Sequence, residues 1–345
     1  VNPSFAPLLG RLVLALALAA IGGAAFTLAG VPAGWLSGAA VAVAVAAVAG
    51  APVAVPNLVR QLAFLLLGVG MGSSVTPETV DQLASWPVSI LFVLVTTVLV
   101  TATAYWVLRR VAGWDKLSAF YGAVPGALSY VVAVALSAGA DMRRVALSQS
   151  VRLLFLVAVL PPLIGLFGGS GDTVVLPDHA EAGLRDLVIL FASGAAVGYA
   201  LLRMGQTAGM LLGPLFTSGL LHGSGLVTTW LPAWLLIPGF LVIGAVIGTR
   251  FAGTEGREVL RLALAALAAL SAGLVVALLC AVLMIEVTDL PPGQVVLSLV
   301  PGALESMTTL AFLLGFDAAY VAGLHFARFV GIVVVLPFVS RHLKA

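Results

Sequence analysis

The chain has 345 residues, 61% of them hydrophobic and only 9% charged, with a net charge of +2 and a mean hydropathy of +1.18. Soluble domains carry about a quarter charged residues, so a water-soluble globular domain is excluded, and so small a charge on dispersed Lys and Arg gives no support to a nucleic-acid partner. A single cysteine, Cys280, inside an apolar run, excludes an internal disulfide and a thiolate metal centre.

A bilayer crossing takes about 20 apolar residues. In chain order, apolar segments are predicted at 8–29, 33–50, 57–74, 86–109, 117–140 and 143–165, and then at 184–204, 207–224, 231–249, 262–285, 293–316 and 319–339. In the first, Arg11 precedes an apolar run as in a signal peptide. It belongs to a repeat, however, so a retained transmembrane helix is expected. Residues 125–161 (PGALSYVVAVALSAGADMRRVALSQSVRLLFLVAVLP) and 301–337 (PGALESMTTLAFLLGFDAAYVAGLHFARFVGIVVVLP) align without a gap at an offset of 176, with 14 identities in 37 positions. The same offset pairs Gly22 with Gly198, Gly68 with Gly244 and Gly72 with Gly248. The expected organisation is a first membrane repeat over 8–165, a periplasmic or extracellular linker over 166–183, and a second membrane repeat over 184–340.

Six apolar segments per copy would make the copies parallel if all crossed, and inverted if one did not. Cytoplasmic loops are enriched in Lys and Arg. Arg109, Arg110 and Lys116 precede segment 117–140, and Arg143 and Arg144 follow it, so both its ends read as cytoplasmic and the segment should return to the side it left. Pro125-Gly126 and Pro301-Gly302 provide the turns, by removing a donor and relaxing φ. Hairpins in both copies put thirteen of the sixteen Lys and Arg inside and only Arg185 outside. The expected fold is therefore an all-α polytopic membrane protein of two inverted-topology repeats, with about ten crossings, two re-entrant or broken helical hairpins, and both termini cytoplasmic in a bacterial-type inner (plasma) membrane.

Inverted repeats with broken helices near the midplane are how many secondary transporters are built. Non-helical backbone at that depth is tolerated only inside protein or beside a wet cavity. Pro125, Gly126, Ser129, Arg152, Pro301, Gly302, Glu305 and Arg328 are thus the candidate substrate-binding residues. Half-helices starting at Ala127 and Ala303 would direct positive N-termini at the site and favour an anion. An unpaired Arg at membrane depth costs roughly 3 kcal/mol on insertion scales. Arg152 and Arg328 therefore either contact an anionic substrate or tie down hairpin ends and carbonyls, through Asp141, Asp317 or Glu305. Gln149 and His325 precede them on the same helical face. Glu305, whose counterpart is Ser129, His325 and Gln149 are the candidates for carrying a coupling proton; a cap for Glu305 and plain packing for His325 are the simpler readings. Asp141 and Asp317 are expected to cap the helices that follow them.

The pattern of PGAL, a hydrophobic stretch, Gly-x-Asp and a later Arg resembles the AbrB-type integral membrane proteins, with their membrane AbrB duplication. The second copy matches that family's motif at Pro301, Gly302, Glu305, Gly315, Asp317, His325 and Arg328. Ala303 departs from a second Gly, and Met307 stands one position late, after Ser306. The resemblance covers nearly the whole chain. Proteins of this kind are labelled regulators of gene expression or ammonia monooxygenases, and their architecture is similar to cation/proton antiporters and bile-acid symporters. A metal oxygenase needs clustered ligands, whereas His179, His222, His325 and His342 are scattered, so no catalytic residues, metal or cofactor are expected. The expectation is a secondary transporter of a small organic solute, with an anion favoured, coupled to H+ or Na+. Membrane lipids surround it, and a homodimer contact is expected on the scaffold helices. A membrane sensor that acts on gene expression through a bound metabolite is the alternative.

Overall fold

The computed structural model describes residues 5–73, 86–126, 128–166, 183–206, 208–227, 229, 231–253 and 256–344, and every regular element among them is helical. The first seven helices are α1 (Phe5–Leu28), α2 (Gly34–Val48), α3 (Asn57–Gly72), α4 (Trp86–Trp106), α5 (Lys116–Ala123), α6 (Leu128–Ala138) and α7 (Met142–Leu166). The next seven are α8 (Leu184–Arg203), α9 (Gly209–Gly223), α10 (Ala233–Gly248), α11 (Gly256–Thr288), α12 (Pro292–Leu299), α13 (Leu304–Leu313) and α14 (Ala318–Lys344). The helices α10, α12, α13 and α14 each start 176 positions after α3, α5, α6 and α7, the offset of the sequence identities. The expected linker at 166–183 lies almost wholly outside the described residues.

Among the described residues, seven helices are long and apolar enough to cross a bilayer: Leu8–Leu28, Trp86–Val111, Met142–Gly165, Leu184–Arg203, Trp234–Phe251, Leu260–Thr288 and Ala318–Leu336. Their outer faces carry exposed aliphatic side chains, such as Ile21 on α1, Val98 on α4 and Leu279 on α11. Helices that are apolar on the outside as well as the inside belong in lipid, and the chain is a multi-pass membrane protein. The helices α2, α3 and α9, at 15, 16 and 15 residues, reach only about 24 Å.

The chain forms two compact units, and each draws on both sequence copies. One comprises Val1–Gln82, Val157–Thr254 and Thr308–Tyr320; the other comprises Leu83–Leu156, Glu255–Met307 and Val321–Ala345. In the first unit, glycines let backbones touch. A Cβ on Gly68 of α3 would lie 2.5 Å from the Leu211 carbonyl of α9, and one on Gly72 would lie 2.5 Å from Ser218 Cβ. A Cβ on Gly244 of α10 would lie 2.7 Å from the Leu36 carbonyl of α2, and one on Gly248 would lie 2.6 Å from Val43 Cβ. The small-xxx-small spacing thus serves close packing twice.

In the second unit, α4 passes into a π-helical turn over Val107–Val111, and the chain turns at Gly113, where φ is +68°. Asp115 then caps α5, its Oδ1 accepting from Ser118 N at 2.8 Å. Helix α5 has 8 residues and α6 has 11, about 12 and 17 Å, so neither crosses a bilayer alone. The pair leaves and returns to one place. Asp141 N, at the end of α6, donates to Ser118 Oγ at the start of α5 over 2.8 Å, and Arg144 lies 3.6 Å from Asp115.

Candidate functional site

The site lies where two helices are broken, within the second unit. Helix α5 stops at Val124, Pro125 and Gly126, where Pro disfavours a helical residue before it and Gly126 takes a left-handed φ of +74°. Helix α12 stops at Val300, Pro301 and Gly302. The breaks face each other: a Cβ built on Gly126 would be 3.4 Å from the Gly302 carbonyl. A Cβ on Gly302 would be 2.5 Å from Met307 Sδ, so a side chain there would displace Met307. Pro125, Pro301 and Gly302 are buried.

A helix that stops inside protein leaves its last carbonyls without donors. Here α7 and α14 each supply an arginine. Arg152 Nη1 donates to the Ala123 carbonyl at 3.2 Å and its Nη2 to Val124 at 2.9 Å. Arg328 Nη1 donates to Val300 at 2.7 Å, and its Nη2 to Ser298 at 2.7 Å and Leu299 at 3.1 Å. Cationic side chains satisfy C-terminal carbonyls and meet the negative end of the helix dipole. Both arginines are buried. All their hydrogen bonds go to carbonyls, Gln149 and His325, and no carboxylate pairs with either among the described residues.

Gln149 and His325, 176 positions apart, play one part. Gln149 Nε2 donates to the Tyr121 carbonyl at 3.3 Å, and its Oε1 accepts from Arg152 Nη2 at 3.1 Å. His325 Nε2 lies 2.9 Å from the Leu297 carbonyl, and its Nδ1 lies 3.4 Å from Arg328 Nη1. A carbonyl only accepts and a guanidinium only donates, so these contacts suit an imidazole with its proton on Nε2. Both nitrogens are occupied.

The two arginines differ in what they leave over. Arg328 commits both of its terminal nitrogens to four acceptors, and only its buried Nε lacks a partner. Arg152 makes three hydrogen bonds out of five N–H groups. It also lines a cavity of ≈ 10 Å³, together with Ser148, Gly122, Pro301 and small residues of α4 and α11 that include Ala104, Ala269 and Gly273. That volume holds about one water. Matching positions in the two copies carry no sign of this inequality.

The remaining candidates stand around this centre or outside it. Glu305 is half-buried in the first turn of α13. Ser129 falls in the first turn of α6, and its side chain lies outside the described residues. The second half-helix begins at Leu304, one residue later than expected; the first is described from Leu128, and Ala127 lies outside the described residues. Asp141 Oδ1 accepts from Arg143 N and Arg144 N at 3.0 and 3.3 Å. Asp317 Oδ1 accepts from Ala319 N and Tyr320 N at 2.9 and 3.0 Å. Both aspartates therefore have the geometry of N-caps.

A family model described as "Transition state regulatory protein AbrB" matches residues 35–344. A protein named "Putative regulator AbrB" from Escherichia coli (strain K12) is 30% identical over 233 residues, which are 64% of this chain and 64% of that protein. One named "Uncharacterized protein YhjN" from Bacillus subtilis (strain 168) is 26% identical over 292 residues, 79% of this chain and 75% of that protein. No solved structure matches the chain.

Proposed function

From the premise that this chain belongs to the AbrB family of membrane proteins, we propose that it is a secondary transporter of a small organic anion, driven by H+ or Na+. The observation that carries this reading is the meeting of two helix breaks, at Gly126 and Gly302, beside two buried arginines that no carboxylate neutralises among the described residues. Broken helices of this kind put half-helix ends and free backbone at a midplane site. Two uncompensated positive charges select an anion there. Arg152, with donors to spare and a face on the cavity, is the substrate ligand; Arg328 with His325, and Gln149 beside Arg152, hold the breaks in shape. Glu305, in the first turn after the second break, is the carboxylate placed to bind the coupling ion. His325, with both nitrogens engaged, leaves that role to Glu305.

The cavity takes one water, so in this reading the substrate enters when the small-residue walls of α4 and α11 move from the breaks. Two inverted repeats, ten crossings and cytoplasmic termini complete the proposal. The protein makes no covalent change in its substrate and needs no metal or cofactor.

The test is uptake of labelled organic acids into proteoliposomes under an imposed pH or Na+ gradient. Saturable uptake in the native protein, lost in Arg152→Gln while the fold persists, is the expected result. Uptake of amines instead of acids, or uptake that survives the substitution, would overturn the anion assignment. The name of the Escherichia coli relative favours a second reading, a sensor that binds the anion and signals to a partner; binding without any uptake would select it.

A further inference from the structure

A second cavity, of ≈ 570 Å³, opens in the same unit beside the π-helical turn that ends α4. One part of its wall is cationic, formed by Arg143, Arg144 and Arg261, with Asp141 as the carboxylate that lines it. Arg144 is spoken for: it lies 3.3 Å from Asp141 and 3.6 Å from Asp115, with its guanidinium 5.8 Å from the centre of the Trp114 ring. Arg261 is exposed and makes no hydrogen bond or ion pair among the described residues. The other part of the wall is apolar, including Val107, Val111, Leu262 and Leu264. Val111 and Leu264 are about two-thirds exposed, so the wall continues onto the outer faces of α4 and α11.

A cavity with arginines at one side and an aliphatic face at the other, at the end of two membrane helices, fits an anionic amphiphile. We propose that it binds an acidic phospholipid, with the headgroup phosphate on Arg143 and Arg261 and an acyl chain along Val111 and Leu264. Basic pockets between membrane helices bind such headgroups, and each Lys or Arg near the surface contributes about 1 kcal/mol. The π-turn makes the room: Ala112 N reaches back to the Val107 carbonyl, and the widened turn moves Val111 and Ala112 to the rim. A free phosphate would use the arginines but leave the apolar wall without an occupant. The proposal does not depend on the transport reading, because it concerns different residues.

The test uses the purified full chain and the fluorescence of Trp114, which lines the cavity. Phosphatidylglycerol with brominated acyl chains is titrated against brominated phosphatidylcholine, and Trp114→Phe identifies the component belonging to the site. The expected result is that phosphatidylglycerol quenches that component at lower mole fraction, with the preference falling about fivefold in Arg261→Gln and further when Arg143→Gln is added. Arg11→Gln, on the other compact unit, is expected to leave it unchanged. Equal quenching by the two lipids, or a preference that survives the double substitution, would overturn the proposal. Displacement of phosphatidylglycerol by millimolar inorganic phosphate would overturn the lipid assignment and give the site to a free anion.

Discussion

Gln149 and His325 make the same pair of contacts, a donor to the carbonyl of residue 121 or 297 and an acceptor for the arginine three positions on. An amide can therefore stand in for the imidazole. His325→Gln is expected to melt within a degree or two of the native protein and to keep its pH profile of uptake, whereas His325→Leu strands the Leu297 carbonyl and loses about 1–3 kcal/mol; thermal melts in detergent separate the two. A transport optimum displaced by His325→Gln would mean that the ring titrates in the cycle. The arginines separate by the same reasoning. Arg328→Gln leaves three carbonyls without donors, against two for Arg152→Gln. The Arg328 variant is expected to lose the more stability, by about 1–3 kcal/mol, while the Arg152 variant loses the substrate. That both buried cations hold helix-end carbonyls, while only one of them also faces a cavity, could not be read from matching positions. It follows from rotamers and from which carbonyls lie within reach.

Pro-Gly is legible in a sequence because it acts on its own backbone: the lost donor, the restricted preceding residue and the left-handed φ of Gly126 all operate locally. The breaks therefore fall at the two Pro-Gly pairs, and the second half-helix starts one residue late. Which helix face packs on which was not legible, because these helices are apolar all round and carry no stripe to orient them. Only the paired glycines marked a contact. Gly244→Ala places a Cβ 2.7 Å from the Leu36 carbonyl, a backbone atom that cannot turn aside, so a loss of about 1–3 kcal/mol is expected. Gly10→Ala, with open space around it, should melt unchanged, and equal melts for the two would show that α10 and α2 are not in contact. At the start of α5 the Asp115 cap is worth about 1 kcal/mol. Partial burial raises its carboxyl, but hydrogen bonds from Ser118 and the charge of Arg144 outweigh this and hold it below the ordinary 3.8. A depressed folded value means that the contribution is present above the unfolded pKa and is lost as the pH falls through the folded one. The difference in melting temperature between native protein and Asp115→Asn should be full at neutral pH and vanish in strong acid.

At the scale of the whole molecule, the deciding quantity is which side of the membrane the ends of α5 and α6 occupy. Charge alone argues that 117–140 returns to the side it leaves, since arginines flank both ends. The geometry supplies an independent argument, because Asp141 N reaches Ser118 Oγ at 2.8 Å and Arg144 reaches Asp115 at 3.6 Å. Two residues that touch cannot be separated by a hydrocarbon core of about 30 Å. The compact units, which interleave the two copies instead of following them, were not foreseeable from a repeat in sequence. A duplication records how the chain arose; contact follows whichever surfaces fit. Replacing Cys280, the one cysteine, with Ser gives a background for single-cysteine labelling, since Cys280 is buried and Ser is its near-isostere. In that background Lys116→Cys and Arg143→Cys, both at exposed positions, should react with a membrane-impermeant maleimide from one and the same side. Glu286→Cys, at the far end of α11 and also exposed, should react from the opposite side. If Lys116 and Arg143 label from opposite sides, segment 117–140 crosses, the copies are parallel, and alternating access by exchange of inverted halves is lost as a mechanism. If they label together, an odd number of crossings remains in the first copy, the second copy must enter the membrane in the opposite sense, and the two breaks approach one midplane from opposite faces.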